Sequence, residues 1–102
     1  MEFITAEELQ KSKGEIIILD IRSELKFNQN HINNSLNIDV YDDIHDGNTE
    51  IVKKKLSVLP KDKEIITVCN AGVTAQPASK ILETMGYKTK VLELGMIGWN
   101  SL

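Results

Sequence analysis

Ile16-Ile17-Ile18-Leu19 contains no polar residue and places three β-branched side chains in succession. A strand with one wet face alternates apolar and polar residues, whereas an unbroken apolar run suits a strand covered on both faces. The stretch Glu64-Ile65-Ile66-Thr67-Val68-Cys69 reads as a second buried strand. Helix-type segments follow such runs, and strands alternating with helices mean a parallel sheet with helices over both faces. The expected class is therefore α/β.

The remaining elements fall around these strands. Thr5-Ala6-Glu7-Glu8 forms a capping box, opening a helix through Leu9 that stops by Gly14. Ser23 caps a short helix with Leu25 and Phe27 expected inward, and Ser35-Leu36-Asn37-Ile38 reads as a strand. Asp39 to Glu50, with Asp42, Asp43, Asp46, Gly47 and Asn48, reads mostly as loop. A helix over Thr49–Leu59 is expected to turn Ile51, Val52, Leu56 and Leu59 inward and leave Lys53, Lys54 and Lys55 in solvent. Pro60 to Lys63 is a turn. A helix from about Ala75 to Met85 puts Ala78, Ile81, Leu82 and Met85 on one face, with Pro77 in its first turn and Gly86 at its stop. Lys90 to Leu94 is the last strand, followed by Gly95 and a terminal turn in which Met96, Ile97 and Trp99 pack as core.

At 102 residues the chain suits one domain, 1–102, with no repeat or linker. A net charge of −3 and a single arginine, Arg22, give no basis for nucleic-acid binding. The apolar runs are too short to span a membrane, and no basic segment followed by an apolar one marks a secretory leader. A lone cysteine forms no internal disulfide and fits a reducing compartment, so a cytoplasmic location is expected.

That cysteine, Cys69, stands where a buried strand ends and a helix begins, with Asn70-Ala71-Gly72-Val73-Thr74-Ala75 between. Ligands in such sheets bind beyond the carboxyl ends of the strands. Backbone N–H groups from Asn70 to Ala75 are expected to curl around the sulfur as an anion cradle, helped by the adjacent helix dipole. Both effects favour an ionised, accessible thiolate, the nucleophilic form. Gly72 lets the loop turn, and Thr74 is expected to N-cap the helix and to offer a hydroxyl hydrogen bond. No loop side chain is a base.

The chain resembles the rhodanese (sulfurtransferase) homology domain along nearly its whole length. The resemblance rests on Leu19-Asp20-Ile21-Arg22 with Glu24 and Phe27, His31-Ile32, Ser35 to Ile38, Leu59 to Lys63 and Ile65 to Cys69. It continues through Gly72, Leu82 to Tyr87, Val91 to Gly95 and Met96 to Trp99. It implies a three-layer α/β/α fold with a five-stranded parallel sheet. It also implies that Cys69 takes sulfur from an anionic donor such as thiosulfate, becomes a persulfide, and passes the sulfur to cyanide or a thiol. No metal or organic cofactor is implied. Many members carry arginines just after the cysteine and five residues after it; here Asn70 and Thr74 occupy those places.

Asp20 and Arg22 are expected to form an ion pair or hydrogen bonds that hold loops beside the site. His31 and His45 are not expected to act as bases, and Asp42, Asp43, His45 and Asp46 lack the spacing of a calcium loop. Two other functions compete. A phosphatase or arsenate reductase needs arginine six residues after its cysteine, where this chain has Ala75. A non-enzymatic module, in which Cys69 receives sulfur from a relay protein, is the stronger alternative.

Overall fold

The computed structural model describes all 102 residues. In chain order the elements are β1 (Phe3–Ile4), α1 (Ala6–Lys11), β2 (Ile16–Asp20), α2 (Glu24–Gln29), β3 (Leu36–Asn37) and α3 (Tyr41–His45). They continue with α4 (Thr49–Leu56), β4 (Glu64–Val68), α5 (Ala75–Thr84), β5 (Thr89–Leu92) and α6 (Gly95–Asn100). The strands form one parallel sheet in the order β1-β5-β4-β2-β3. β4 lies at its centre, flanked by β2 and β5.

Two cores cover the two faces. Ile17, Leu19, Ile65 and Val91 face the first, with Val52 and Leu56 of α4 and Ala78 and Leu82 of α5. Ile16, Ile18, Ile66, Val68 and Leu92 face the second, with Leu9 of α1, Met96 of α6 and half-buried Trp99. Successive residues of Ile16–Leu19 in β2 and of Ile65–Ile66 in β4 thus alternate between cores, and both alternatives are apolar. This is why the runs carry no polar period.

Thr5 caps α1 as expected: its hydroxyl accepts from Glu8 N at 3.1 Å, and its own N–H donates to Glu8 Oε1 at 2.9 Å. Several expectations are corrected. β1 supplies a strand that a two-residue apolar pattern could not announce; Val91 and Glu93 donate to the carbonyls of Glu2 and Ile4. Leu25 and Ile51, expected inward, are 70% and 46% exposed. α2 is too short to present a continuous buried stripe and buries none of its residues. α4 stops at Leu56, so Leu59 reaches the first core from the turn beyond the helix. Asp39–Glu50 is not mainly loop, because α3 forms there, entered from fully buried Val40 and packed through Ile44. β5 ends at Leu92, two residues short of the expected strand, and Leu94 adopts a left-handed backbone with φ 62°.

Candidate active site

The central strand β4 delivers Cys69 to the carboxyl edge of the sheet. The chain turns there through Asn70 to Thr74 and enters α5. Cys69 Sγ receives the Gly72 N–H at 3.2 Å and the Ala75 N–H at 3.3 Å. Gly72 sits at φ 84°, and a Cβ there would stand 3.0 Å from Leu94 N and 3.2 Å from Leu92 O. No other residue fits that conformation and that space without strain.

The loop's acceptors face away from the sulfur. The carbonyls of Cys69 and Asn70 accept from Met96 N at 2.9 Å and Ile97 N at 3.0 Å, at the start of α6. Gln76 Nε2 donates to Gly72 O at 2.8 Å, and Thr67 Oγ1 donates to Ala75 O at 3.1 Å. With its carbonyls satisfied by α6, Gln76 and Thr67, the loop is held with two amides converging on one sulfur. Those dipoles stabilise negative charge on that atom.

Of the six residues expected to form the cradle, Gly72 and Ala75 direct their N–H groups at the sulfur. Asn70, Ala71 and Val73 lie at the exposed outer side of the loop. Thr74 is not the expected side-chain cap. Its backbone is helical, with φ −67° and ψ −26°, and its hydroxyl makes no hydrogen bond to the helix. Instead Thr74 Oγ1 shares a 3.0 Å hydrogen bond with His45 Nε2. The expected openness is corrected too. Cys69 is only 2% exposed, because the loop wraps the sulfur it cradles.

Asp20 and Arg22 form a buried bidentate pair, with Arg22 Nε 3.0 Å from Asp20 Oδ1 and Nη2 2.8 Å from Oδ2. Arg22 Nη2 also donates to Asn30 O at 2.7 Å, and Asn37 Nδ2 donates to Arg22 O at 2.9 Å. Arg22 therefore ties the end of β2 to the end of α2 through its guanidinium and to β3 through its carbonyl. Arg22 lines a cleft of about 260 Å³ with Ser23, Lys26, Asp39, Tyr41, Asp42 and Asn70, beginning one residue from the cysteine.

His31 stacks on Phe27 with ring centroids 3.9 Å apart, and its Nδ1 lies 2.8 Å from Phe27 O. Asp43 accepts from Lys55 Nζ at 2.7 Å; this hydrogen bond holds the ammonium above the ordinary lysine range. Gln76 is a site residue that sequence reasoning missed. His45, set aside there as a base and metal ligand, and Gly95, placed there only after the last strand, have their roles in the site from the structure. Only the adjacency of Gln76 to the loop could have signalled it, since His45 and Gly95 arrive from other elements.

The arrangement defines an α/β domain whose one cysteine stands in a strand–loop–helix at the carboxyl edge of the sheet. The rhodanese-like domain model matches residues 5–102, and the chain belongs to that family. Among curated proteins, one from Bacillus subtilis (strain 168) named "Putative sulfurtransferase YtwF" is 27% identical over 85 residues, covering 83% of this chain and 74% of its own. A rhodanese-related protein from Thermoplasma volcanium superposes with a TM-score of 0.83 at 23% identity, covering 99% of this chain and 92% of that one. The rhodanese-like domain protein from Staphylococcus aureus gives 0.78 at 25% identity, over 97% of this chain and 91% of its own. The Saccharomyces cerevisiae single-domain sulfurtransferase RDL2 gives 0.73 at 21% identity, over 98% and 89%. No helix of this protein is long and apolar enough to cross a membrane.

Proposed function

We propose that this protein is a sulfurtransferase that carries sulfane sulfur as a persulfide on Cys69. The observation that carries the reading is the convergence of the Gly72 and Ala75 N–H groups on Sγ at the carboxyl edge of the sheet. Membership of the rhodanese-like family and the YtwF likeness support it. The cysteine thiolate attacks the outer sulfur of a donor such as thiosulfate; the donor S–S bond breaks and sulfite departs with its electron pair. A thiolate or cyanide acceptor then attacks the outer sulfur of the persulfide, and the cysteine thiolate leaves. The charge sits on Sγ in the attacking thiolate and again in the thiolate that leaves the persulfide, so main-chain donors already aimed at that atom stabilise the start of the first transfer and the end of the second without reorganising. The scheme uses no cofactor, and a single unpaired thiol suits the reducing cytoplasm.

Intact mass spectrometry after incubation with thiosulfate is expected to show a gain of one sulfur atom, about 32 Da, lost again on adding cyanide. Cys69→Ser is expected to show neither. A persulfide-free wild type, or a Cys69→Ser variant that still turns over, overturns the thiosulfate reading.

One observation favours a relay module as the second reading. The sulfur is buried, and none of residues 70–75 carries a cationic side chain to draw in a small dianion. In that case mass is gained only from a persulfidated protein donor, and thiosulfate gives nothing.

A further inference from the structure

We infer that His45 is a positioning residue of the cysteine loop, acting through Thr74 to hold the Ala75 N–H on the Cys69 sulfur. Its consequence for turnover rests on the sulfur-transfer reading; its effect on the sulfur does not. Thr74 is buried, and its hydroxyl finds its partner in His45 Nε2 at 3.0 Å rather than in α5. The next amide along the chain is one of the two donors on Sγ. Ala75 is thus held at its carbonyl by Thr67 of β4, at 3.1 Å, and on its amide side by a tether running to α3. His45 is exposed and covers the hydroxyl of buried Thr74 from outside, so losing the tether frees the start of α5 to shift.

His45 is itself held in place. α3 is anchored by Val40, which is fully buried, and by Ile44 against the first core. Lys55 of α4 binds Asp43 at 2.7 Å, and the Tyr41 ring lies against the imidazole with centroids 4.5 Å apart. A neutral imidazole either accepts the Thr74 O–H or donates to Oγ1, according to its tautomer. Glutamine retains both capacities at a similar reach; alanine retains neither.

The test reads the sulfur in two ways. Alkylation of Cys69 by iodoacetamide, followed by intact mass, does not depend on sulfur transfer. His45→Ala and Thr74→Val are each expected to slow it about threefold to tenfold. The double variant is expected to be no slower than either single one, because both remove the same tether. His45→Gln is expected to recover the rate to within about twofold of wild type. In thiosulfate turnover the same variants lower kcat and leave KM unchanged, since the tether acts on the nucleophile.

Wild-type alkylation in His45→Ala, additive losses in the double variant, or no recovery with glutamine each overturn the proposal. Should His45→Ala fail to fold by circular dichroism, Thr74→Val against Thr74→Ser decides it, since serine keeps the hydroxyl. Equal rates for those two sink the tether. A wild type that forms no persulfide defeats the sulfur-transfer reading, and the alkylation series still decides the role of His45.

Discussion

Gly95 shows how a single hydrogen in place of a methyl can set a site. Its φ is 51°, and a Cβ would collide with the carbonyl oxygen of Cys69 and lie 2.8 Å from the carbonyl carbon and oxygen of Asn70. Those are backbone atoms, so nothing can swing aside without dragging the cysteine loop. Gly95→Ala is therefore expected to cost about 1–3 kcal/mol in denaturant unfolding and to slow alkylation of Cys69. Unchanged stability with unchanged reactivity would mean that this close approach does not hold the loop. The sequence shows Gly95 only as a stop after the last strand. Its partner lies 26 residues back, and a contact across β4 and β5 leaves no mark in either local pattern.

At the level of elements, α1 was the most legible, because a capping box is written in four consecutive residues. The same box makes α1 sensitive to acid. Hydrogen bonding from the Thr5 backbone N–H, and then from its side chain, holds the Glu8 carboxyl below the ordinary glutamate range. A carboxyl whose folded pKa lies below its unfolded value stabilises above the unfolded value, and that contribution is lost as pH falls through the folded one. Glu8→Gln is accordingly expected to be less stable than wild type at neutral pH, with the gap closing in acid. Denaturant unfolding across pH checks it, and a gap independent of pH would refute it. α3 stands at the other extreme. Asp42, Asp43, Asp46 and Gly47 read as loop because solvated acids and glycine dominate the local pattern. The helix forms because Val40 and Ile44 are drawn into the first core and Lys55 binds Asp43. Tertiary packing overrides propensity there, and it brings His45 to the cysteine loop.

Across the whole molecule, the two cores are coupled through strands that face both of them. β2 and β4 contribute alternate residues to each side, so neither layer can melt and leave the other a complete sheet. Trp99, the only tryptophan, packs against the second core and reports on it. Leu82, fully buried in the first core on α5, lies on the opposite face. Leu82→Ala is expected to destabilise by about 2–5 kcal/mol and to shift the Trp99 fluorescence and far-UV circular dichroism midpoints together. Separate midpoints would show the layers unfolding independently.

The α/β class was already legible in the residues, since unbroken β-branched runs alternating with helical segments suit a sheet covered on both faces, and the family was legible in the ordered resemblance from Leu19 to Trp99. The strand–loop–helix position of Cys69 was determined in the same way, because strand, glycine turn and helix follow one another without interruption. Only the tertiary structure decided that two amides rather than six converge on the sulfur, that the loop closes over it, and that Thr74 turns to His45 instead of capping its helix. Those choices depend on α3, α6 and Gly95, which lie far away along the chain. Local propensity records what a segment can become by itself, and nothing in it specifies which distant segment will pack against the result.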